Sequence, residues 1–135
     1  MKTPLKTVWL IDDNEIDNFI NKKTILKNNF ALEVKDFNSS VAAEAHVKEL
    51  IKNGVKGDEI PDLIFLDLNM PICSGTEFMK KAENDLLKLN PKIGIVILTS
   101  SINPNDEFNN SLFSTFIAYI NKPLNTANLS QITSD

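Results

Sequence analysis

Six polar residues stand where apolar runs of this 135-residue chain stop, and their types suit a reacting site better than a core. Val8-Trp9-Leu10-Ile11 gives way to Asp12 and Asp13, Leu63-Ile64-Phe65-Leu66 to Asp67, Ile95-Val96-Ile97-Leu98 to Thr99, and Ala118-Tyr119-Ile120 to Asn121 and Lys122. A charged group at the end of a buried strand is better placed for chemistry than for packing. If the apolar runs are parallel strands, their carboxyl ends share one edge. Residues more than a hundred positions apart then meet in one crevice, where open α/β sheets bind ligands. Each group also has an ordinary structural role to set against this. Asp67 could cap the next helix, Asp12 and Asp13 could be an acidic pair favoured by a helix dipole, and Lys122 could be a solvated lysine.

The elements must therefore deliver these residues to one edge. Leu63–Leu66 has the length of a strand buried on both faces, and residues 7–11 read as a first strand ending on the acidic pair. A helix over 14–28 follows, with Ile16, Phe19, Ile20 and Ile25 or Leu26 at the spacings of a buried stripe. Residues 31–37 alternate Leu32, Val34 and Asp36 against Glu33 and Lys35, as a half-exposed edge strand does. Ser39 or Ser40 offers an N-cap to a helix over 41–53 with Ala43, Val47, Leu50 and Ile51 on one side, and Gly54 is its stop. Beyond Asp67, the loop Ile72-Cys73-Ser74-Gly75 leads to a helix over 76–89, with Phe78, Met79, Ala82 and Leu86 inward and Asn90-Pro91 as its break. Residues 93–98 are the most apolar strand. Asn103-Pro104 opens a weakly patterned helix anchored by Phe108, Leu112 and Phe113. Residues 115–120 are a fifth strand, and a short helix over 125–133 follows. Such alternation predicts an α/β fold with right-handed crossovers and a parallel sheet covered on both faces.

Composition narrows the function. The length predicts one domain, and 42% hydrophobic residues are enough for its core. With 14 basic against 18 acidic residues and a net charge of -4, no direct nucleic-acid binding and no attraction to anionic lipid are expected. The single Cys73 cannot form an intramolecular disulfide, in keeping with a reducing compartment, and the lone His46 cannot build a histidine metal cluster. No apolar run approaches the roughly 20 residues of a membrane span, and the amino end lacks the apolar stretch of a signal peptide. These features predict a cytoplasmic protein with no membrane insertion.

Val8-Trp9-Leu10-Ile11-Asp12-Asp13, Leu66-Asp67-Leu68-Asn69-Met70-Pro71, Leu98-Thr99-Ser100 and Tyr119-Ile120-Asn121-Lys122-Pro123 together resemble the receiver domain of bacterial two-component response regulators, of the CheY-like kind. The resemblance runs from Thr7 to about Leu124 and implies a flavodoxin-like, doubly wound five-stranded parallel sheet of order 2-1-3-4-5. It implies that Asp67 is the phosphoacceptor, taking a phosphoryl group from a sensor histidine kinase or phosphotransfer protein. Asp12, Asp13, Asp67 and the backbone carbonyl of Asn69 would hold Mg²⁺, whose preference for hard oxygens suits this set. Lys122 would pair with Asp67 and then with a phosphoryl oxygen. Thr99 would swing inward and Tyr119 follow it, a two-state switch read by a downstream protein target. A packed core aromatic is the structural alternative for Tyr119.

The loop departs from the family pattern, which more often has a glycine and an acidic residue before the second glycine. No output domain follows Lys122, so a single stand-alone receiver signalling by contact is expected, a phosphoacceptor rather than a turnover enzyme. A haloacid dehalogenase-like phosphatase also uses an aspartate nucleophile, Mg²⁺ and a lysine, but needs a second aspartate where Asn69 stands. A receiver-like binding module without phosphorylation is the other rival, and the complete residue set opposes it.

Overall fold

β-Branched and large apolar residues fill the strands, and the helices between them are closed by local polar caps. The computed structural model describes residues 4–54, 57–68, 70–100 and 114–132. Its elements run β1 (Leu5–Ile11), α1 (Glu15–Lys27), β2 (Ala31–Phe37), α2 (Ser40–Asn53), β3 (Leu63–Leu66), α3 (Gly75–Leu89), β4 (Gly94–Thr99), β5 (Phe116–Asn121) and α4 (Thr126–Ile132). Asn14, Ser39 and Ser74 cap the first three helices through their side-chain oxygens, and Gly54 ends α2 at φ 63°. Those caps satisfy amide groups that a helix start leaves open.

All strand pairs are parallel, in the order β2-β1-β3-β4-β5. Alternate residues of each central strand therefore serve opposite layers. Trp9, Ile11, Ile64, Leu66, Ile95 and Ile97 meet the inner faces of α2 and α3, built from Ala43, Val47, Leu50, Phe78, Met79 and Leu86. Val8, Leu10, Phe65, Val96 and Leu98 pack with Ile25 of α1 and Leu129 of α4. Helices thus cover both faces, and the double burial explains the unbroken apolar runs of β3 and β4. No helix of the described residues is long and apolar enough to cross a membrane.

Two expectations need correcting. Most of the apolar stripe assigned to the inner side of α1 points outward, Ile25 alone of it being buried: Ile16 is 69% and Phe19 62% exposed, and Ile20 and Leu26 are exposed as well. Of the α1 residues, Asn18, Asn21 and Ile25 are the buried ones. The reason is hydrogen bonding. Asn18 Nδ2 donates to the Asp12 carbonyl at 2.9 Å, and Asn21 Oδ1 accepts from the Leu124 N–H at 3.0 Å. Apolar side chains there would leave those buried backbone groups unpaired. The second correction is at the sheet edge, where Leu32 is exposed and Phe37 and Ala31 carry the packing of β2. Asn69 and the helix expected from Asn103, with its anchors, lie outside the described residues.

Candidate functional site

The parallel register fixes the strand ends side by side. Ile11 pairs with Leu66, and the Asp67 N–H donates to the Ile11 carbonyl at 3.0 Å, so Asp12 and Asp67 leave adjacent strands at the same level. Asp12 and Asp67 are buried and Asp13 is exposed, with carboxylate oxygens of all three within 4.8 Å of one another. Thr99 closes β4 opposite Asn121, which immediately precedes Lys122.

Lys122 reaches into this acidic group. Its Nζ lies 2.5 Å from Asp12 Oδ2, 3.0 Å from Asp17 Oδ2 and 3.4 Å from Asp67 Oδ2. Burial works against a charged amine here, but the bonds to Asp12 and Asp17 and the nearby Asp67 outweigh it, and the Lys122 pKa is raised. Asp12 is also raised. Burial is the main cause and the charge of Asp67 adds to it, while Lys122 and the Asn14 N–H, 2.9 Å from Asp12 Oδ1, oppose it. Three clustered carboxylates of hard oxygen, two of them buried, form a donor set that fits a divalent cation such as Mg²⁺.

The loop after β3 holds the Asp67 backbone tightly. Gly75 starts α3, its N–H donates to the Leu68 carbonyl at 3.0 Å, and a Cβ at this position would collide with the Asp67 carbonyl oxygen. Between them, Ile72 adopts φ 70° and is 93% exposed, while the Cys73 N–H bonds the Pro71 carbonyl at 2.7 Å in a γ-type turn. Ser40 of α2 donates to the Cys73 carbonyl, tying this loop to the helix layer. The Lys122-Pro123 peptide bond is cis.

Asp12, Asp13, Asp67 and Lys122, selected from the sequence, thus come together. Tyr119 is half-buried on β5, opposite Ile97, with its ring 5.1 Å from Phe116 and packed on the core under α2 and α3. Sequence reasoning missed Asp17, Asn18 and Asn21. The signal was a polar stripe: Asp17 and Asn21 are one turn apart, and Asn28, two turns further, accepts from the Thr126 hydroxyl at 2.9 Å.

A model of the response regulator receiver domain matches residues 8–134. The chain belongs to that family. This receiver domain is similar in structure to a two-component response regulator from Cytophaga hutchinsonii, at 27% identity and TM-score 0.82 over 97% of this chain and 96% of the other. A response regulator receiver protein from Dyadobacter fermentans is 26% identical with TM-score 0.75, covering 94% of each chain. The receiver domain of the histidine kinase CKI1 from Arabidopsis thaliana, solved in complex with Mg²⁺ and BeF₃⁻, shares the fold at 22% identity and TM-score 0.76, over 96% of this chain and 91% of that one. No curated protein sequence matches the receiver domain significantly.

Proposed function

We propose that this receiver domain accepts a phosphoryl group on Asp67 from a phosphohistidine of a sensor kinase or phosphotransfer protein, in a Mg²⁺-dependent reaction, and signals by a conformational change to a protein target. The observation that carries the reading is the Lys122 ammonium 3.4 Å from Asp67 Oδ2, beside three carboxylates within 4.8 Å of one another. In the transfer, an Asp67 oxygen forms the new bond to phosphorus, the phosphorus–nitrogen bond of the donor breaks, and the electron pair leaves with the donor imidazole. Lys122 stays protonated and donates to a phosphoryl oxygen, which its raised pKa favours.

Asp12, Asp13 and Asp67 are the described residues that would hold Mg²⁺, and the ion would offset repulsion between the Asp67 carboxylate and the incoming phosphoryl group. The Mg²⁺ and BeF₃⁻ bound by the CKI1 receiver support this choice of ion and of probe. Thr99 and Tyr119 carry the switch: Thr99 ends the strand beside Lys122, and Tyr119 on β5 couples that edge to the core. The chain acts as a phosphoacceptor in the cytoplasm and not as a turnover enzyme. The exposed Ile16, Phe19 and Ile20, on the helix that follows Asp13, give a phosphodonor protein an apolar face to dock on beside the acceptor.

The test is direct. Acetyl phosphate with Mg²⁺ should add one phosphoryl group to the wild type, read by intact mass, and beryllofluoride should bind. Asp67→Asn should abolish both. A wild type that responds to neither reagent overturns the assignment.

A further inference from the structure

We propose that Asp17 is a positioning residue for Lys122, keeping the ammonium at the acceptor when the other carboxylates around it are committed to a ligand. The inference rests on the phosphoacceptor reading and adds to it a residue outside the family motifs quoted above. An ammonium has three N–H donors. Here three carboxylates face them, from the end of β1 (Asp12), the first turns of α1 (Asp17) and the end of β3 (Asp67). Asp12 and Asp67 belong to the cluster with metal-ligand spacing, and Asp17 does not. Oxygens of Asp12 and Asp67 taken up by a cation or a phosphoryl group are no longer fully available to the lysine. Asp17 is the partner that remains.

Its backbone is fixed for this task. The Asp17 N–H donates to the capping oxygen of Asn14 at 3.1 Å, so the helix start and the carboxylate share one anchor. One residue on, Asn18 ties α1 to the Asp12 carbonyl, and one turn on, Asn21 ties it to the Leu124 N–H, two residues past Lys122. The helix therefore grips the chain beside both partners of the Asp12–Lys122 pair, and the distance from Asp17 to the lysine is set by rigid elements. An acidic residue in a first helical turn is also favoured by the dipole, but that role would not require its oxygen 3.0 Å from the lysine that follows β5. The Asp17 side chain is 34% exposed, so its charge is only partly buried.

The experiment compares Asp17→Ala with Asp17→Asn, which loses the charge but keeps an acceptor oxygen. With saturating Mg²⁺, Asp17→Ala should slow labelling by acetyl phosphate and weaken beryllofluoride binding, each about tenfold, as expected for loss of one charge-assisted hydrogen bond. Asp17→Asn should lose roughly threefold or less. A purely structural or dipole role predicts equal effects for the two variants. In the metal-free protein, urea unfolding of Asp17→Ala, Lys122→Met and the double variant should show coupling, the double losing less than the sum of the singles. Labelling of Asp17→Ala at or above the wild-type rate, equal losses for Ala and Asn, or strict additivity in the cycle would each overturn the proposal. Its failure is distinguishable from failure of the function. If wild type labels on Asp67 and Asp17→Ala labels equally well, only the role of Asp17 falls.

Discussion

Gly75 shows how narrowly a single position can be set in this receiver domain. It faces the Asp67 carbonyl oxygen and the Leu68 Cα so closely that any side chain must displace backbone rather than a flexible group. Alanine would gain up to about 1 kcal/mol in helix propensity, less at a first helical residue, whereas crowding a well-packed site costs about 1–3 kcal/mol. The clash wins. Gly75→Ala should lose stability in urea denaturation and should also slow labelling of Asp67 by acetyl phosphate, because the backbone that aims the carboxylate has to move. Unchanged stability together with normal labelling would show that this contact does not hold Asp67 in place. The three residues that share Lys122 teach a related lesson. Asp12 and Asp67 announced themselves by ending apolar runs, but Asp17 lies inside a helix and only its reach across to Lys122, just past β5, gives it meaning.

At the scale of elements, α1 is the part whose sequence misleads. Periodicity locates a helix and its spacing correctly, but it assigns the inner side to whichever stripe is apolar, and here the inner side is mostly polar, with Ile25 its apolar member. Strand ends, the Leu124 amide and Lys122 all need partners, and Asp17, Asn18 and Asn21 supply them. What remains apolar, Ile16, Phe19 and Ile20, faces outward. The other elements were legible because their demand is simple. β3 is buried on both faces and reads as an unbroken apolar run, and α3 presents Phe78, Met79, Ala82 and Leu86 inward as its spacing says. A stability contrast follows. Ile25→Ala, at a fully buried α1 residue, should cost about 2–5 kcal/mol, while Phe19→Ser on the same helix should stay within about 0.5 kcal/mol. Both are measurable by chemical denaturation. Equal losses would mean that the helix faces are assigned the wrong way round. Of the predicted site, the carboxylates and lysine could be found because strand ends converge by topology. The partners that orient them could not, since they depend on how far one helix stands from two loops.

The whole molecule carries a net charge of -4, and Asp12, Asp13, Asp17 and Asp67 gather at one lip of the sheet with Lys122 among them. Folding therefore has to press like charges together, and burial already raises the pKa of Asp12. A cation bound only by the folded state should relieve this and stabilise the protein by mass action. At about one hundred times its Kd, a single Mg²⁺ would contribute about 2.7 kcal/mol, a rise in Tm on the order of 10 °C for a domain of this size. A general screening effect could also stabilise an acidic protein, so the comparison must separate the two. Salt acts on charges separated by more than the Debye length, about 10 Å at 0.1 M, whereas the three carboxylate oxygens lie within 4.8 Å of one another, where screening is weak. Thermal melts in MgCl₂ should exceed those in NaCl of equal ionic strength. Asp13→Ala, at an exposed residue, should fold normally yet lose most of the Mg²⁺ increment, since it removes one carboxylate of the cluster at little cost in packing. If NaCl reproduced the full shift and Asp13→Ala retained it, the stabilisation would belong to the charge of the whole molecule and not to a metal site at this lip.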